Sequence, residues 1–104
     1  MIVVANSLPV REGAADRIVE MFSAGRGAVQ DFPGFVAMEV LKSEAGDEVL
    51  VVTWWEDRAS FDAWVNSEAF KKAHSGGGGG NLLRGHPRMT VYEVALERNR
   101  RPSP

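Results

Sequence analysis

One segment of the chain, residues 49–55, is apolar at every position except Thr53, and this run limits the folds that the chain can adopt. Side chains in a β-strand alternate between the two faces of a sheet, so a strand with one face in water should alternate apolar and polar residues. This run is apolar on both alternating faces. We therefore predict a strand from Glu48 to Trp55 that is covered on both sides.

The remaining pattern predicts three more strands and a helix that precedes the second of them. Runs of β-branched and apolar residues predict strands at Ile2–Leu8, Phe35–Leu41 and Arg88–Leu96. A first helix is predicted after Gly13, because apolar residues recur there at helical spacing: Ala15, Ile18, Val19, Phe22 and Val29. The loop between the second and third strands, residues 43–47, contains a glycine and predicts a hairpin.

Two shorter helices are predicted after the third strand. Asp57 is placed to cap a helix that carries Phe61, Trp64 and Val65, and Ser67 is placed to cap a further helix that ends at His74. The order of elements predicts an α+β fold of the ferredoxin-like type, a four-stranded antiparallel sheet with helices on one face. We expect one domain over residues 1–96 and a flexible tail over residues 97–104.

This arrangement leaves one face of the sheet without a helical cover. Large exposed apolar patches are uncommon on soluble monomers, so the second face needs a partner. A second copy of the chain is the simplest partner, and a homodimer through sheet faces is the expectation. The alternative is a monomer whose own loops fold over the sheet.

Composition excludes several classes of protein and partner. The chain has 104 residues, a formal net charge of −2 and no cysteine, which excludes disulfides, thiolate metal ligands and a cysteine nucleophile. The net charge gives no field that would gather nucleic acid, and no apolar run reaches the ~20 residues of a membrane span. The N-terminus continues directly into a predicted strand without the pattern of a signal peptide. We expect a soluble, cytoplasmic protein that binds neither nucleic acid nor membrane.

A few residues could carry chemistry, and each also has a purely structural interpretation. Asn6 falls on the same strand face as Ile2, Val4 and Leu8, where a carboxamide without partners costs ~1–3 kcal/mol. Backbone groups at the strand's end could satisfy it. Trp64 lies on an apolar helical stripe, where an aromatic residue usually belongs to the core.

The two histidines differ in how well the sequence fixes their positions. His74 falls one turn after Phe70 on the same face of the predicted third helix, where it could face a pocket and ligate iron. It could instead interact with the negative end of the helix dipole. His86 precedes Pro87 in a loop and is the weaker candidate. Two histidines without cysteine do not predict a zinc site, and the run Gly76–Gly80 lacks the context of a phosphate-binding loop.

The segment from Phe61 to His74 resembles the corresponding region of the IsdG-type haem-degrading monooxygenases. These enzymes belong to the antibiotic-biosynthesis-monooxygenase superfamily of dimeric α+β barrels. The resemblance extends to Asn6, to residues 33–35 and to residues 53–56, and it spans the chain to about Leu96. The joint presence of Asn6, Trp64 and His74 is its specific part, because the other pieces are general to the superfamily.

The resemblance implies a role for each of these residues and a substrate. His74 would be the proximal ligand of the haem iron, Trp64 would press on the porphyrin and distort it, and Asn6 would donate a hydrogen bond on the distal side. Phe70 would also contact the haem. Haem would be both substrate and cofactor, and ring opening would need oxygen and an external electron donor, such as a reductase.

The glycine run beside His74 departs from the more varied, polar loop expected of this family. It leaves open how the propionates are held, and Arg84 and Arg88 are candidates on charge alone. Two other functions fit the same sequence. One is a cofactor-free monooxygenase of the superfamily that acts on a small quinol or phenol, and the other is a non-catalytic haem-binding protein.

Overall fold

Four strands and three helices follow one another along the described chain in the order β-α-β-β-α-α-β. A computed structural model describes residues 1–24, 29–74 and 80–98, of which residues 72–74 and 80 are described by their backbone alone. The elements are β1 (Ile2–Pro9), α1 (Ala15–Ala24), β2 (Phe35–Lys42), β3 (Glu48–Trp55), α2 (Arg58–Val65), α3 (Glu68–His74) and β4 (Arg88–Glu93). Two single-turn 3-10 helices, Val29–Asp31 and Gly80–Leu82, precede β2 and β4.

The four strands form one antiparallel sheet in the order β2-β3-β1-β4. Residues paired across strands share a face. The helices pack on one face only, which supplies the sheet residues of the two apolar clusters described below. We call it the helix-facing face, and it carries Ile2, Val4, Asn6 and Leu8 of β1 with their partners Trp55, Thr53, Val51 and Val49 of β3. The predicted ferredoxin-like α+β fold with helices on one face is confirmed.

The opposite face, which we call the outer face, is apolar over its middle, has polar residues such as Glu39 and Arg88 on its edge strands, and carries no helix of the described chain. Its central side chains come from β1 and β3 and its edges from β2 and β4: Val3, Ala5, Leu50, Val52, Trp54, Leu41 and Tyr92. Leu41 and Tyr92 are 44% and 53% exposed. The described residues therefore leave apolar surface in water on the side where the run at residues 49–55 predicts a cover.

Both predicted helix caps in the second half of the chain are present. Asp57 has extended backbone angles, and its carboxylate accepts a hydrogen bond from the backbone N–H of Ser60 at 2.8 Å. This hydrogen bond lowers the pKa of the Asp57 carboxyl from its ordinary value, because it favours the charged form. The Ser67 hydroxyl accepts from the backbone N–H of Phe70 at 3.0 Å and begins α3 in the same way.

Two predicted boundaries are wrong. The first helix ends at Ala24, and Val29 belongs to a separate 3-10 turn instead of the same helical stripe. Gly25 and Gly27 stand between them in the sequence, and glycine is among the poorest helix formers. The last strand ends at Glu93 instead of Leu96, because Glu93 pairs with Ile2, where β1 itself begins.

The helix-facing face holds two separate apolar clusters instead of one continuous core. The first lies under α1 and contains the buried residues Leu8, Val10, Ala14, Ala15, Ile18 and Val49, with Val40, Val51, Leu82 and Leu83 packed against them. The second lies under α2 and α3 and contains Ile2, Val4, Trp55, Phe61 and Trp64, with Val29, Phe32, Phe35, Val65, Ala69, Phe70 and Val91. The sheet therefore joins two packing centres.

None of the described helices is long and apolar enough to cross a membrane. The extent of the domain over residues 1–96 and the flexible tail over residues 97–104 stay predictions, and residues 99–104 lie outside the description. Residues 76–79 of the glycine run also lie outside it, and Gly80 begins a 3-10 turn.

Candidate functional site

A gap between the two apolar clusters crosses the helix-facing face of the sheet. Four residues of this face lie between the two clusters and belong to neither: Met38, Thr53, Asn6 and Met89. Met38 pairs with Thr53 and Asn6 pairs with Met89, so the four residues run diagonally from β2 to β4. Met38 and Met89 are 38% and 56% exposed, although both face the helical side. We call this strip the diagonal gap.

Asn6 supplies an amide group to the diagonal gap. It lies between Val4 and Leu8 on β1, which belong to different clusters, and it is half-buried. None of the residues within 1–24, 29–74 and 80–98 forms a hydrogen bond with its carboxamide. The structural interpretation, in which nearby backbone satisfies Asn6, therefore has no support in the described chain. A carboxamide in this position can donate to and accept from a ligand.

Trp64 belongs to the second cluster, which lies on one side of the gap. It is 8% exposed, and its indole ring packs edge-to-face on Phe32 at 5.4 Å and on Phe70 at 5.7 Å between centroids. It also stacks on Trp55 at 6.5 Å, with the two ring planes 30° apart. α2 and α3 thus bring Trp64 and Phe70 together, and Asn6 lies on β1 two residues after Val4, a member of the same cluster.

His74 is the last residue of α3, one turn after Phe70, which agrees with its predicted place on that helix. Its side chain lies outside the described residues, so its orientation stays a prediction. His86 is exposed in the segment between the Gly80–Leu82 turn and β4. The described residues contain no group of three or more His, Asp or Glu side chains that could hold a bare metal ion.

The two arginines considered for the propionates lie away from the gap. Arg88 pairs with Ser7, which places it on the outer face, opposite Asn6. Arg84 lies beside the end of β1, where its backbone N–H donates to the Pro9 carbonyl and its guanidinium to the Asp47 carbonyl at 3.4 Å. Within one described chain, neither arginine is positioned to pair with an anionic group in the gap.

Sequence reasoning missed part of the site because the signal lies in the sheet register. Thr53, Met38 and Met89 face the same side as Asn6, and strand alternation places each of them there only once the pairing partners are known. The polar residue that interrupts the apolar run of β3 was the available signal.

Phe22 was expected on the apolar stripe of α1, yet it is 40% exposed one turn beyond the buried Ile18.

The gap combines flexible apolar side chains with two uncharged polar groups. Methionine adapts to irregular or flat apolar surfaces, and the only hydrogen-bonding side chains among the four gap residues are Asn6 and Thr53. Such a surface can bind a flat, largely apolar ligand and direct one or two hydrogen bonds at it. These properties fit a porphyrin lying between the clusters.

The family model of the antibiotic biosynthesis monooxygenases matches residues 1–76 of this chain. A curated heme-degrading monooxygenase of Shouchella clausii (strain KSM-K16) is 42% identical over 79 residues, which are 73% of each chain. A curated heme-degrading monooxygenase of Bacillus cereus (strain B4264) is 38% identical over 101 residues, which are 94% of each chain.

A solved structure gives the same similarity in three dimensions. The heme-degrader MhuD of Mycobacterium tuberculosis, solved with two hemes bound in its active site, superposes with a TM-score of 0.78. It is 29% identical in sequence, and the superposition covers 95% of this chain and all of the other. The similarity therefore includes the sheet and the helices on both sides of the diagonal gap.

Proposed function

This chain belongs to the antibiotic biosynthesis monooxygenase family, and we propose that it is a haem-degrading monooxygenase that opens the porphyrin ring and releases iron. The resemblance recognised from Asn6, Trp64 and His74 agrees with this membership. Relatives named as heme-degrading monooxygenases align with most of the chain, at 38–42% identity. The proposal rests on these relatives together with the composition of the diagonal gap.

The observation that carries the proposal is the half-buried Asn6 carboxamide, without a partner in the described chain, between two apolar clusters. No described side-chain nitrogen or oxygen is both buried and without a hydrogen bond, so the half-buried amide of Asn6 is accessible and available to bond a ligand in the gap. Haem would offer a large apolar surface to Met38, Met89 and the neighbouring aromatic residues. It would also offer polar atoms with which the Asn6 amide can form a hydrogen bond.

Bound haem supplies the iron at which oxygen is activated and the ring carbon that is oxidised. The chain's own residues hold and orient it. We propose that His74 would ligate the iron, that Asn6 would donate a hydrogen bond from its amide N–H, and that Trp64 and Phe70 would contact the porphyrin. Trp64 is held by three aromatic neighbours, so it would give the porphyrin a rigid surface to press against.

The proposal includes partners that the reaction and the outer face require. Ring opening consumes reducing equivalents, so an external electron donor such as a reductase is part of it. The cytoplasm, which supplies such donors, is the proposed location. A second copy of the chain is proposed to cover the outer face, and this homodimer would close the two sheets into a dimeric α+β barrel.

A haem titration of two histidine variants tests the proposed iron ligand. Wild-type protein should develop a Soret band when haemin is added. The band should be largely lost in His74→Ala and nearly unchanged in the matched control His86→Ala, because His86 is exposed in a loop outside the gap. Equal loss in both variants would show that His74 is not the specific ligand.

Adding a reductant to the haem-bound protein separates the proposal from its two alternatives. A haem-degrading enzyme loses the Soret band and releases iron. A non-catalytic haem-binding protein keeps the haem intact. A cofactor-free oxygenase that acts on a quinol or phenol does not develop a specific Soret band at all.

A further inference from the structure

Trp55 is the centre of the aromatic cluster next to the diagonal gap. It is fully buried, and its ring contacts four others: Phe32, Phe35, Phe61 and Trp64. Three of these contacts are edge-to-face, and the contact with Trp64 is stacked. The orientation of the Trp55 ring therefore determines the surface against which Trp64 packs.

One hydrogen bond fixes the orientation of Trp55. Its indole N–H donates to the Thr53 hydroxyl oxygen at 3.0 Å, two residues earlier on the same face of β3. Rotation of the ring away from this position would leave the buried N–H without this acceptor, which disfavours the rotated orientation by roughly tenfold to a hundredfold.

Trp64 has no comparable anchor of its own. Within the described chain no hydrogen bond holds its indole N–H, so its ring orientation depends on its aromatic neighbours. Trp55 is the one neighbour that stacks on it, and Trp55 is held by Thr53. Thr53 is itself a residue of the diagonal gap. A chain of contacts therefore runs from the floor of the gap through Trp55 to Trp64.

We propose that Thr53 and Trp55 are positioning residues that set the angle at which Trp64 meets the haem. The proposal rests on the proposed function for its link to haem, whereas the arrangement of the two indoles does not depend on haem. A misplacement of about 1 Å can cost about a hundredfold in rate. A rotated Trp64 should therefore change ring opening without removing haem binding, which depends on the iron ligand.

The first experiment uses haem-free protein. A stacked indole pair gives an exciton couplet in circular dichroism, and Trp64→Phe identifies it by removing it. Thr53→Val removes the acceptor and keeps the branched shape, so the couplet should weaken or change sign. Thr53→Ser keeps the hydroxyl and should restore the wild-type couplet. The Trp55 indole N–H should exchange with solvent faster in Thr53→Val than in Thr53→Ser.

A control separates this effect from a general loss of stability. Phe61→Leu removes one edge contact of Trp55 and leaves its hydrogen bond in place, so it should lower the melting temperature while the couplet stays. Thr53→Ala, which also lacks the hydroxyl, gives the same comparison if the valine variant does not fold. A couplet that is unchanged in every variant without the hydroxyl would overturn the proposal.

The second experiment uses haem-loaded protein and a reductant. Thr53→Val should still develop a Soret band, open the ring more slowly or with a different ratio of product isomers, and be rescued by Thr53→Ser. Because Thr53 also lies in the gap, Trp55→Phe, which keeps the Thr53 hydroxyl and lacks the indole N–H, should slow ring opening in the same way. Wild-type ring opening in a variant that has lost the couplet would also overturn the proposal. If wild-type protein does not degrade haem, the proposed function fails, and the couplet alone decides whether Thr53 and Trp55 orient Trp64.

Discussion

Asn6 is the residue at which the physical argument and the family resemblance meet. It faces the helical side of the sheet between two apolar clusters, and no described residue satisfies its amide. Its amide is accessible and makes no hydrogen bond within the described chain, so it adds no hydrogen bond to the stability of the fold and is available to a ligand.

Replacing Asn6 by alanine should separate catalysis from binding. Asn6→Ala should still bind haem, because His74 is the proposed iron ligand, but it should lose about a hundredfold in ring-opening rate with the donor near the reacting atoms. Single-turnover decay of the Soret band measures this. Asn66→Ala is the matched control, because the Asn66 side chain donates to the Asp62 carbonyl at the end of α2 instead of facing the gap. A folded Asn6→Ala protein that opens the ring at the wild-type rate would show that Asn6 has no catalytic role.

Trp64 carries both a packing role and a proposed site role, and two substitutions distinguish them. Trp64→Ala should lower the free energy of unfolding by ~3–5 kcal/mol, because the side chain is buried among aromatic rings. Trp64→Phe keeps an aromatic ring, so it should remain folded and lose only part of the ring-opening rate. Thermal melts beside the haem assay give the comparison. A phenylalanine variant with full activity would mean that Trp64 serves packing alone.

Gly34 is required by a close approach that sequence alone does not reveal. Its φ is +86°, and a Cβ there would lie 2.1 Å from the Ser60 hydroxyl oxygen of α2. Gly34→Ala should therefore lower the free energy of unfolding by roughly 2–5 kcal/mol. Gly46→Ala is the control, because Gly46 has a similar φ of +76° with open space around it, and should cost only about 1–2 kcal/mol. Equal costs in urea unfolding would contradict the steric argument.

At the scale of the elements, sequence patterns identified the strands and caps well because their causes are local. Asp57 and Ser67 cap the helices that they were predicted to cap. The end of β4 was misplaced, because it depends on where its partner β1 begins, which is a property of the pairing. Sequence alone offered one signal for the diagonal gap, the polar Thr53 within the apolar run of β3, but the extent of the gap depends on the strand pairing and on which residues the two clusters leave out.

The cap at Asp57 predicts a dependence of stability on pH. Its pKa is lowered in the folded protein, so its stabilisation is present above the ordinary aspartate value of 3.8 and is lost as the pH falls through the lowered pKa. Asp57→Asn keeps a capping oxygen that does not titrate. Wild type should therefore lose melting temperature relative to Asp57→Asn only below about pH 4. A difference in melting temperature that is the same at about pH 3 as at about pH 7 would contradict this.

At the scale of the whole molecule, the outer face determines the expected assembly. The described helices pack on the opposite face, and apolar side chains such as Leu41 and Tyr92 stay exposed. The sequence predicted this need for a cover from the run at residues 49–55, but a single chain does not reveal what fulfils it. The monomeric alternative, with loops folded over the sheet, gains no support from the described residues, whose loops leave these side chains in water.

Placing a charge in the middle of the outer face should prevent dimerisation. Leu50 lies on the central strand β3, and Leu50→Glu would bury a carboxylate between two apolar sheets. Light scattering should give a dimer for wild type and a monomer for Leu50→Glu. Leu96→Glu, at a residue that is 70% exposed beyond β4, is the control and should remain a dimer. A wild-type monomer at micromolar concentration would refute the assembly.

The central claim is that this chain opens the haem ring, and one measurement tests it most directly. Wild-type protein is loaded with one equivalent of haemin and given a reductant under air, and the absorbance spectrum and the released iron are followed together. The account predicts that the Soret band decays, a spectrum of an opened tetrapyrrole replaces it, and chelatable iron appears in equal amount. A Soret band that persists under these conditions, without iron release, would contradict it.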